Sequence, residues 1–388
     1  MLHPDDAVAI IEKIEKQPET ELIDIKDSLG RVLAEKIFSS LDSPPFSKAA
    51  MDGYAVSSED RSSSFRIVET IAAGEVPAKQ IIHGTCAKIM TGAMMPEGSD
   101  KVIRVEYTEE KDGTMVLLRN ESLKNVIVKG ENLKKGDIVL APGVIRPQEV
   151  GVLASLGLKQ IRVAVPPPVG VITTGSELRE PGEPLGFGQI YNSNGLQLCA
   201  QTKAVNCPFK YYGIIEDNRE ALARAIERGS KECRVLLLSG GVSMGEYDFV
   251  PASITDLGGE IIFHKLAIKP GKPTLFAENN GSYIFGLPGN PVSTFVIFEI
   301  LVKPLLYRLM GIHHQPSIIK AFLSVPIKRR SSDRVEYRPV KVEGGEIYLL
   351  AYHGSSHINI LAEANGLIRI DQGIDTIREG ETLNVRQI

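Results

Sequence analysis

The sequence predicts a multidomain protein of mixed class: a central doubly wound, mostly parallel α/β domain, an inserted all-β domain, a small helical N-terminal domain and a C-terminal β domain. Three observations carry that prediction. At 388 residues the chain is too long for one typical core, so two to four domains are expected. From about residue 166, apolar strand-like runs alternate with helical stretches, the rhythm of βαβ units. Elsewhere, short strand-like runs sit between Gly and Pro corners at irregular spacing.

The elements follow in chain order. From about Pro4 to Ser40 the pattern reads as helical, ending near "SLGRVLAEKI". Its start, "MLHPDDAVAIIEKIEK", places acids early and lysines late, as the helix dipole favours. Pro44, Pro45 and Gly53 then mark a loop. "FRIVETI", "CAKIM", "DKVIRVEY", "TMVLLRN" and "NVIVKG" read as strands of a small β domain, and "RPQEVGVLASLGL" as a helix with Pro147 in its first turn and Gly157 at its end. Pro166 to Pro168 form a stiff joint. Beyond it, strands are expected at "VGVITT", "KYYGII", "VLLLS", "EIIFHKL", "TLFAE" and "YIFGL", with helices near 195–205, 219–229, 249–257 and 292–310. The remainder is strand-like, with Gly344-Gly345 as a hairpin turn. The expected division is 1–41 with 139–165, 42–138, 166–312 and 313–388.

Composition excludes several classes. Apolar content of 43% and charged content of 24% suit a soluble globular chain, and a net charge of −4 argues against bulk nucleic-acid binding. No signal-peptide core and no apolar run of membrane-spanning length occurs, so a cytoplasmic protein is expected. Cys86, Cys199, Cys207 and Cys233 form no CxxC pair and read as free thiols. There is no P-loop, no G-x-G-x-x-G and no G-x-S-x-G elbow. His353 and His357 have the spacing of a helical pair, but the glycine and serines between them favour a loop over a zinc site.

In a parallel sheet, ligands gather where strands deliver their carboxyl ends. Four polar loops should share that rim: "GSEL" with Glu177, "EDNREAL" with Asp217, "GGVSMGEYD" with Ser243, Glu246 and Asp248, and "PGNPVS" with Asn290 and Ser293. Each has a plainer reading. Asp217 with Glu220 makes a D-x-x-E capping box, Gly240-Gly241 suits a tight turn, and Pro291 suits a first helical position. Bare backbone N–H groups favour phosphate, while neighbouring carboxylates would repel it unless a divalent cation lies between. Oxygen-only ligands point to Mg²⁺. Lys265, Lys269 and Lys272 in "KLAIKPGKP" would clamp anionic substrate, or simply flank a Pro-Gly turn in solvent.

Taken together, "SKAAMDGYAV", "KIMTGAMMPEGSD", "GENLKKGD", "TTGSEL", "IYNSN", "SGGVSMGEYD", "KLAIKPGKP" and "GLPGNPVS" closely resemble the MoeA family of molybdopterin molybdenumtransferases, related to the E domains of gephyrin and plant Cnx proteins. The motifs run in order along the whole chain, although "SGGVSxGxxD" and "PGNPxS" are shared with MogA-type domains. The resemblance implies four domains, a MogA-like domain at about 166–312, and a homodimer with a shared active site. It implies cleavage of adenylylated molybdopterin, transfer of molybdate to the dithiolene and release of AMP, with Mg²⁺ or a similar cation. The matched catalytic positions are Asp52, Thr91, Glu177, Asp217, Asp248, Lys265 and Lys269, with Glu177, Asp217 and Asp248 as metal ligands. Pterin or nucleotide contacts are expected at Ser176, Asn194, Gly240, Gly241, Ser243, Lys272, Pro288, Gly289, Asn290, Pro291 and Ser293. MogA-type and molybdoenzyme or carrier partners are implied; nucleic acid and membrane are not.

One departure stands out. Many relatives have "GED" where this chain has "GEN", placing Asn132 at an often acidic position, with Asp137 a candidate substitute. The alternatives are a MogA-type adenylyltransferase, which would need neither Asp52, Thr91 nor the flanking domains, and a binding protein like the gephyrin E domain.

Overall fold

The computed structural model describes residues 1–242, 249–351 and 354–388. Packing divides the chain into two units, one of Met1–Ala34, Gly143–Arg146 and Gln160–Ile388, the other of Glu35–Pro142 and Pro147–Lys159.

The first unit holds a six-stranded sheet made of β1 (Val169–Thr174), β2 (Phe209–Ile215), β3 (Val235–Ser239), β4 (Glu260–His264), β5 (Leu275–Asn279) and β6 (Ser282–Leu287), in the order β2-β1-β3-β6-β5-β4. β2, β1, β3 and β6 pair in parallel, and β5 runs antiparallel to both its neighbours. β1, β3 and β6 are buried throughout, which is why they read as continuous apolar runs rather than alternating ones. The side-chain period of two splits them between two cores. Val169, Val171, Val235 and Leu237 pack with Leu198, Val292 and Val296, while Ile172, Leu236 and Leu238 pack with Leu222, Ile226, Val250 and Ile254. The helices Ser193–Ala204 and Pro291–Ile297 therefore cover one face, and Arg219–Glu232 and Val250–Asp256 the other. Doubly wound geometry follows directly.

The N-terminal segment differs from the sequence reading. Helix occupies only Pro4–Glu12, begun by Pro4 in its first turn and by His3, whose ring nitrogen accepts the Asp5 N–H. Pro18 cannot continue a helix, and Thr20–Asp24 instead pairs antiparallel with Gln160–Ala164. Val32–Leu33 and Gly143–Val144 complete that four-stranded sheet. The apolar residues of "RVLAEKI" that mimic a helical face are strand residues, and Gly30, at φ +75, turns the chain before them.

Toward the C-terminus, Ile318–Leu323, Val335–Glu343, Glu346–Leu349, Gly366–Ile370 and Thr382–Gln387 pair in a closed ring. Its interior is filled by Leu323, Val340, Ile347, Ile368 and Val385. Gly344 and Gly345, both at positive φ, form the expected two-residue hairpin between Glu343 and Glu346. Ile268–Lys269 adds to this barrel in parallel with Val335–Glu336, stitching the "KPGKP" loop to it.

In the second unit, six strands order as 101–104, 53–56, 85–89, 64–71, 114–117 and 108–111. Gly53 is required there, because a Cβ would lie 2.0 Å from the Ile103 carbonyl oxygen on the paired strand. The Pro147–Ser155 helix ends before Gly157 at φ +74, as expected. All four cysteines are free and buried, and burial pushes the Cys86 and Cys207 thiols up to about 12. Among the described residues no helix is long and apolar enough to cross a membrane.

Candidate active site

Four loops leave the carboxyl edge of the sheet, and Thr174, the last residue of β1, ties three of them together. Its hydroxyl donates to Asp217 Oδ1 at 3.2 Å, after β2. Its carbonyl packs beneath Gly240, where a Cβ would come within 2.2 Å, after β3. Gly240 and Gly241 sit at φ +101 and +63, so this corner admits no ordinary side chain. The capping-box reading of Asp217 is corrected: Asn218 caps the helix, accepting the Ala221 N–H at 2.8 Å. Asp217 is left facing the β1 and β3 loops.

The fourth loop is fastened by Asn194. Its amide donates to Ser239 Oγ at 2.8 Å and to the Gly289 carbonyl at 2.7 Å, while Oδ1 is buried with no hydrogen-bond partner among the described residues. Thr294 Oγ1 donates to the Pro288 carbonyl at 2.6 Å. Pro291 occupies the first helical turn, as the plainer reading held, but Asn290 makes no capping bond; its amide donates to Ser355 Oγ at 2.8 Å.

These loops border two hollows. One, of about 600 Å³, is lined by Gly175, Ser176, Arg179, Glu180, Glu183, Glu216 and Asp217. The other, of about 1020 Å³, is lined by Glu177, Pro288, Gly289, Asn290, Ser293 and Ser355 together with Lys269 and Lys272. Glu177 and Asp217 thus come from adjacent strands but line different hollows. Ser243, Glu246, Asp248 and His353 lie outside the described residues. Among the described residues no group of three His, Cys, Asp or Glu side chains is placed to share a metal ion. Lys265 begins the "KLAIKPGKP" segment at φ +75, its N–H donating to Thr274 O and its carbonyl accepting from Leu2 N.

The larger hollow contains what sequence reasoning missed. Lys328, Arg329, Arg330, Arg334 and Arg338 of the barrel join Lys269 and Lys272 around it, against Glu177 and Glu336. The run "KRRSSDRVEYR" was the available signal, a dense basic stretch on strand-like sequence. Glu336 is the buried counter-charge, with Oε2 at 3.2 Å from Arg329 Nε and 3.4 Å from Lys269 Nζ. A strongly cationic cleft beside backbone-rich glycine loops is a place for a multiply charged oxyanion.

In the second unit, Asp52 and Thr91 meet, a pairing that their separate motifs did not foretell. Asp52 Oδ1 accepts the Thr91 N–H at 2.6 Å and its hydroxyl at 2.7 Å, and these bonds hold the carboxyl below its ordinary range. Near Asn132, whose N–H donates to Ser43 O, Asp137 accepts the Lys134 N–H at 2.8 Å and so closes its own turn.

The fold and the cationic cleft define an oxyanion-binding type of protein built on a doubly wound α/β domain with additional β modules. Residues 2–157 match the MoeA N-terminal region (domain I and II), 170–308 a probable molybdopterin binding domain, and 320–388 the MoeA C-terminal region (domain IV). The chain belongs to the MoeA family of molybdopterin molybdenumtransferases. It is 34% identical over 376 residues to the molybdopterin molybdenumtransferase of Staphylococcus epidermidis, covering 94% of this chain and 90% of that one. Identity to the Haemophilus influenzae protein of the same name is 32% over 391 residues, covering 97% and 96%. The crystal structure of the molybdopterin biosynthesis MoeA protein from Pyrococcus horikoshii OT3 superposes with a TM-score of 0.86 at 29% identity, covering both chains completely.

Proposed function

We propose that this protein is the transferase that inserts molybdenum in molybdenum cofactor synthesis: it cleaves adenylylated molybdopterin, passes molybdate to the dithiolene and releases AMP. The observation that carries this reading is the cleft where Lys269, Lys272 and the barrel arginines face the Pro288–Asn290 loop. Molybdate is a tetrahedral dianion, and arginine forks with lysine point charges are the side chains suited to hold one. The glycine corner at Gly240-Gly241 is the proposed place for the substrate's phosphate, with the Ser243 hydroxyl proposed to join it: the Gly240 N–H already donates to Leu287 O, but two residues without a Cβ at positive φ let the backbone approach an anion closely. Held between the two, the phosphate and the incoming oxyanion need positioning and charge neutralisation more than covalent help from the protein.

Mg²⁺ belongs to the same proposal, with Asp217, Asp248 and Glu177 as its ligands. The donor chemistry suits a hard cation: Asp217 offers a carboxylate, which accepts the Thr174 hydroxyl, beside the Gly240-Gly241 corner. Bound there, the cation would offset phosphate charge. Glu177 lines the neighbouring hollow. The Asp52–Thr91 pair is proposed to complete the site of the partner subunit in a homodimer. The test is conversion of adenylylated molybdopterin with molybdate and Mg²⁺, following AMP. Molybdate-dependent AMP release supports the proposal; adenylylation of molybdopterin from ATP, without molybdate-dependent release, would replace it with the adenylyltransferase reading.

A further inference from the structure

One carboxylate of the cationic cleft has no part in the chemistry proposed above. Glu336 is the register partner of Lys269 where Ile268–Lys269 joins the barrel strand, and its side chain is 4% exposed. Three cations surround it, and they are not alike. Arg329 is 3% exposed and its guanidinium also donates to the carbonyls of Arg334, Asp371 and Ile374, so it is a fixture of the barrel. Lys269 and Arg338, by contrast, are 47% and 24% exposed and border the cleft, at 3.4 and 3.8 Å from Glu336. The Arg338 Nε is buried without a hydrogen bond among the described residues, so charge rather than a directed bond orients it toward Glu336.

Burying a carboxylate is unfavourable unless it is paired, and here one buried arginine already supplies a pair. The same carboxylate then reaches two further cations that open on the ligand space. A lysine on its four-carbon stem has wide rotational freedom unless something anchors it. We propose that Glu336 is a positioning residue for the oxyanion: it cancels the charge of Arg329 and fixes where Lys269 and Arg338 present theirs. The cleft then attracts a dianion without holding it so tightly, or so loosely oriented, that transfer stalls. This inference rests on the cleft being the molybdate-binding place.

The test uses the full chain with Glu336→Gln and Glu336→Asp, molybdate alone as the binding probe, and AMP release as the rate. Gln keeps the shape and can accept from Arg329, but it adds one net positive charge to the cleft. Molybdate should bind E336Q roughly tenfold tighter at low salt, the gain shrinking as salt is raised. Its kcat should fall roughly tenfold, because Lys269 is no longer anchored. E336D should restore the molybdate affinity to within about twofold of wild type, since the charge returns. Its kcat should stay below wild type, since the side chain is one methylene short. A merely structural role would lower the melting temperature and leave the affinity and the rate per folded molecule unchanged; that result overturns the inference. Should E336Q fail to fold, E336D decides it, and wild-type affinity with wild-type kcat in E336D overturns it. If wild type binds molybdate but releases no AMP, the proposed function falls while the binding arm still decides the role of Glu336.

Discussion

Thr91 donates both its backbone N–H and its hydroxyl to one oxygen of Asp52, at 2.6 and 2.7 Å, joining two loops that are 39 residues apart in sequence. Removing the hydroxyl alone leaves the backbone bond in place, so Thr91→Ala should fold normally. The Asp52 carboxyl should titrate higher in that variant, because one of the two bonds that favour its charged form is gone. A carboxyl carbon chemical-shift titration measures this, and an unchanged Asp52 titration contradicts it. If the pair acts in the reaction, kcat/KM should fall on the order of 10-fold to 100-fold.

Asp248→Ala should keep the fold and lose molybdenum insertion. Losing one anchoring charge at a phosphate site removes a few kcal/mol of transition-state stabilisation, on the order of 10²-fold in rate. Single-turnover AMP release by the purified variant is the measurement. A normal cofactor yield from correctly folded protein would count against Asp248 as a ligand.

Gly240→Ala should destabilise the sheet edge itself. Its Cβ would lie 2.2 Å from the Thr174 carbonyl oxygen, and the residue is at φ +101, where an L side chain is strained. Overpacking of this kind costs roughly 1–3 kcal/mol, read as a lower melting temperature. Gly344→Ala meets no atom within 4 Å and should lose less, from φ +58 alone. Equal losses at the two positions would contradict the account of the Gly240 corner.

His314 gives a pH dependence. Its ring stacks on Tyr307 with centroids 5.0 Å apart, and burial, with Arg386 and Lys303 nearby, lowers its pKa from 6.5 to about 4. Between those values the unfolded chain takes up a proton that the folded chain refuses. Stability is therefore full above about pH 6.5, falls as pH drops toward 4, and levels below it. The loss should be on the order of 1 kcal/mol once solvent screening is allowed for. His314→Phe should flatten that part of the melting-temperature profile between pH 7 and 4; an identical slope in the variant would contradict the assignment.

The α/β sheet was legible because β1, β3 and β6 are buried on both faces and show as unbroken apolar runs between glycine corners. The hairpin at Gly344-Gly345 was legible because two positive φ values demand those residues. The N-terminal helix was overextended because strands at Val32–Leu33 and Ile37–Phe38 carry apolar spacing that also fits a helix; only their partners, over a hundred residues away, decide between the two. Asp217 looked like a cap because a D-x-x-E spacing cannot show that the next residue, Asn218, takes the role. Most instructive is the cleft. Lys269 and Lys272 were found from their loop, but the barrel arginines come to them only through the pairing of Ile268–Lys269 with Val335–Glu336, a long-range contact that local pattern does not encode.

The central claim is that this cleft holds the oxyanion. Crystals soaked with tungstate, a heavy tetrahedral dianion, test it by anomalous diffraction. The account predicts a peak in the hollow between Lys269, Lys272 and the arginines of the barrel, beside the Pro288–Asn290 loop. A peak only at the hollow lined by Ser176 and Asp217, or none in the cleft at saturating tungstate, would contradict it.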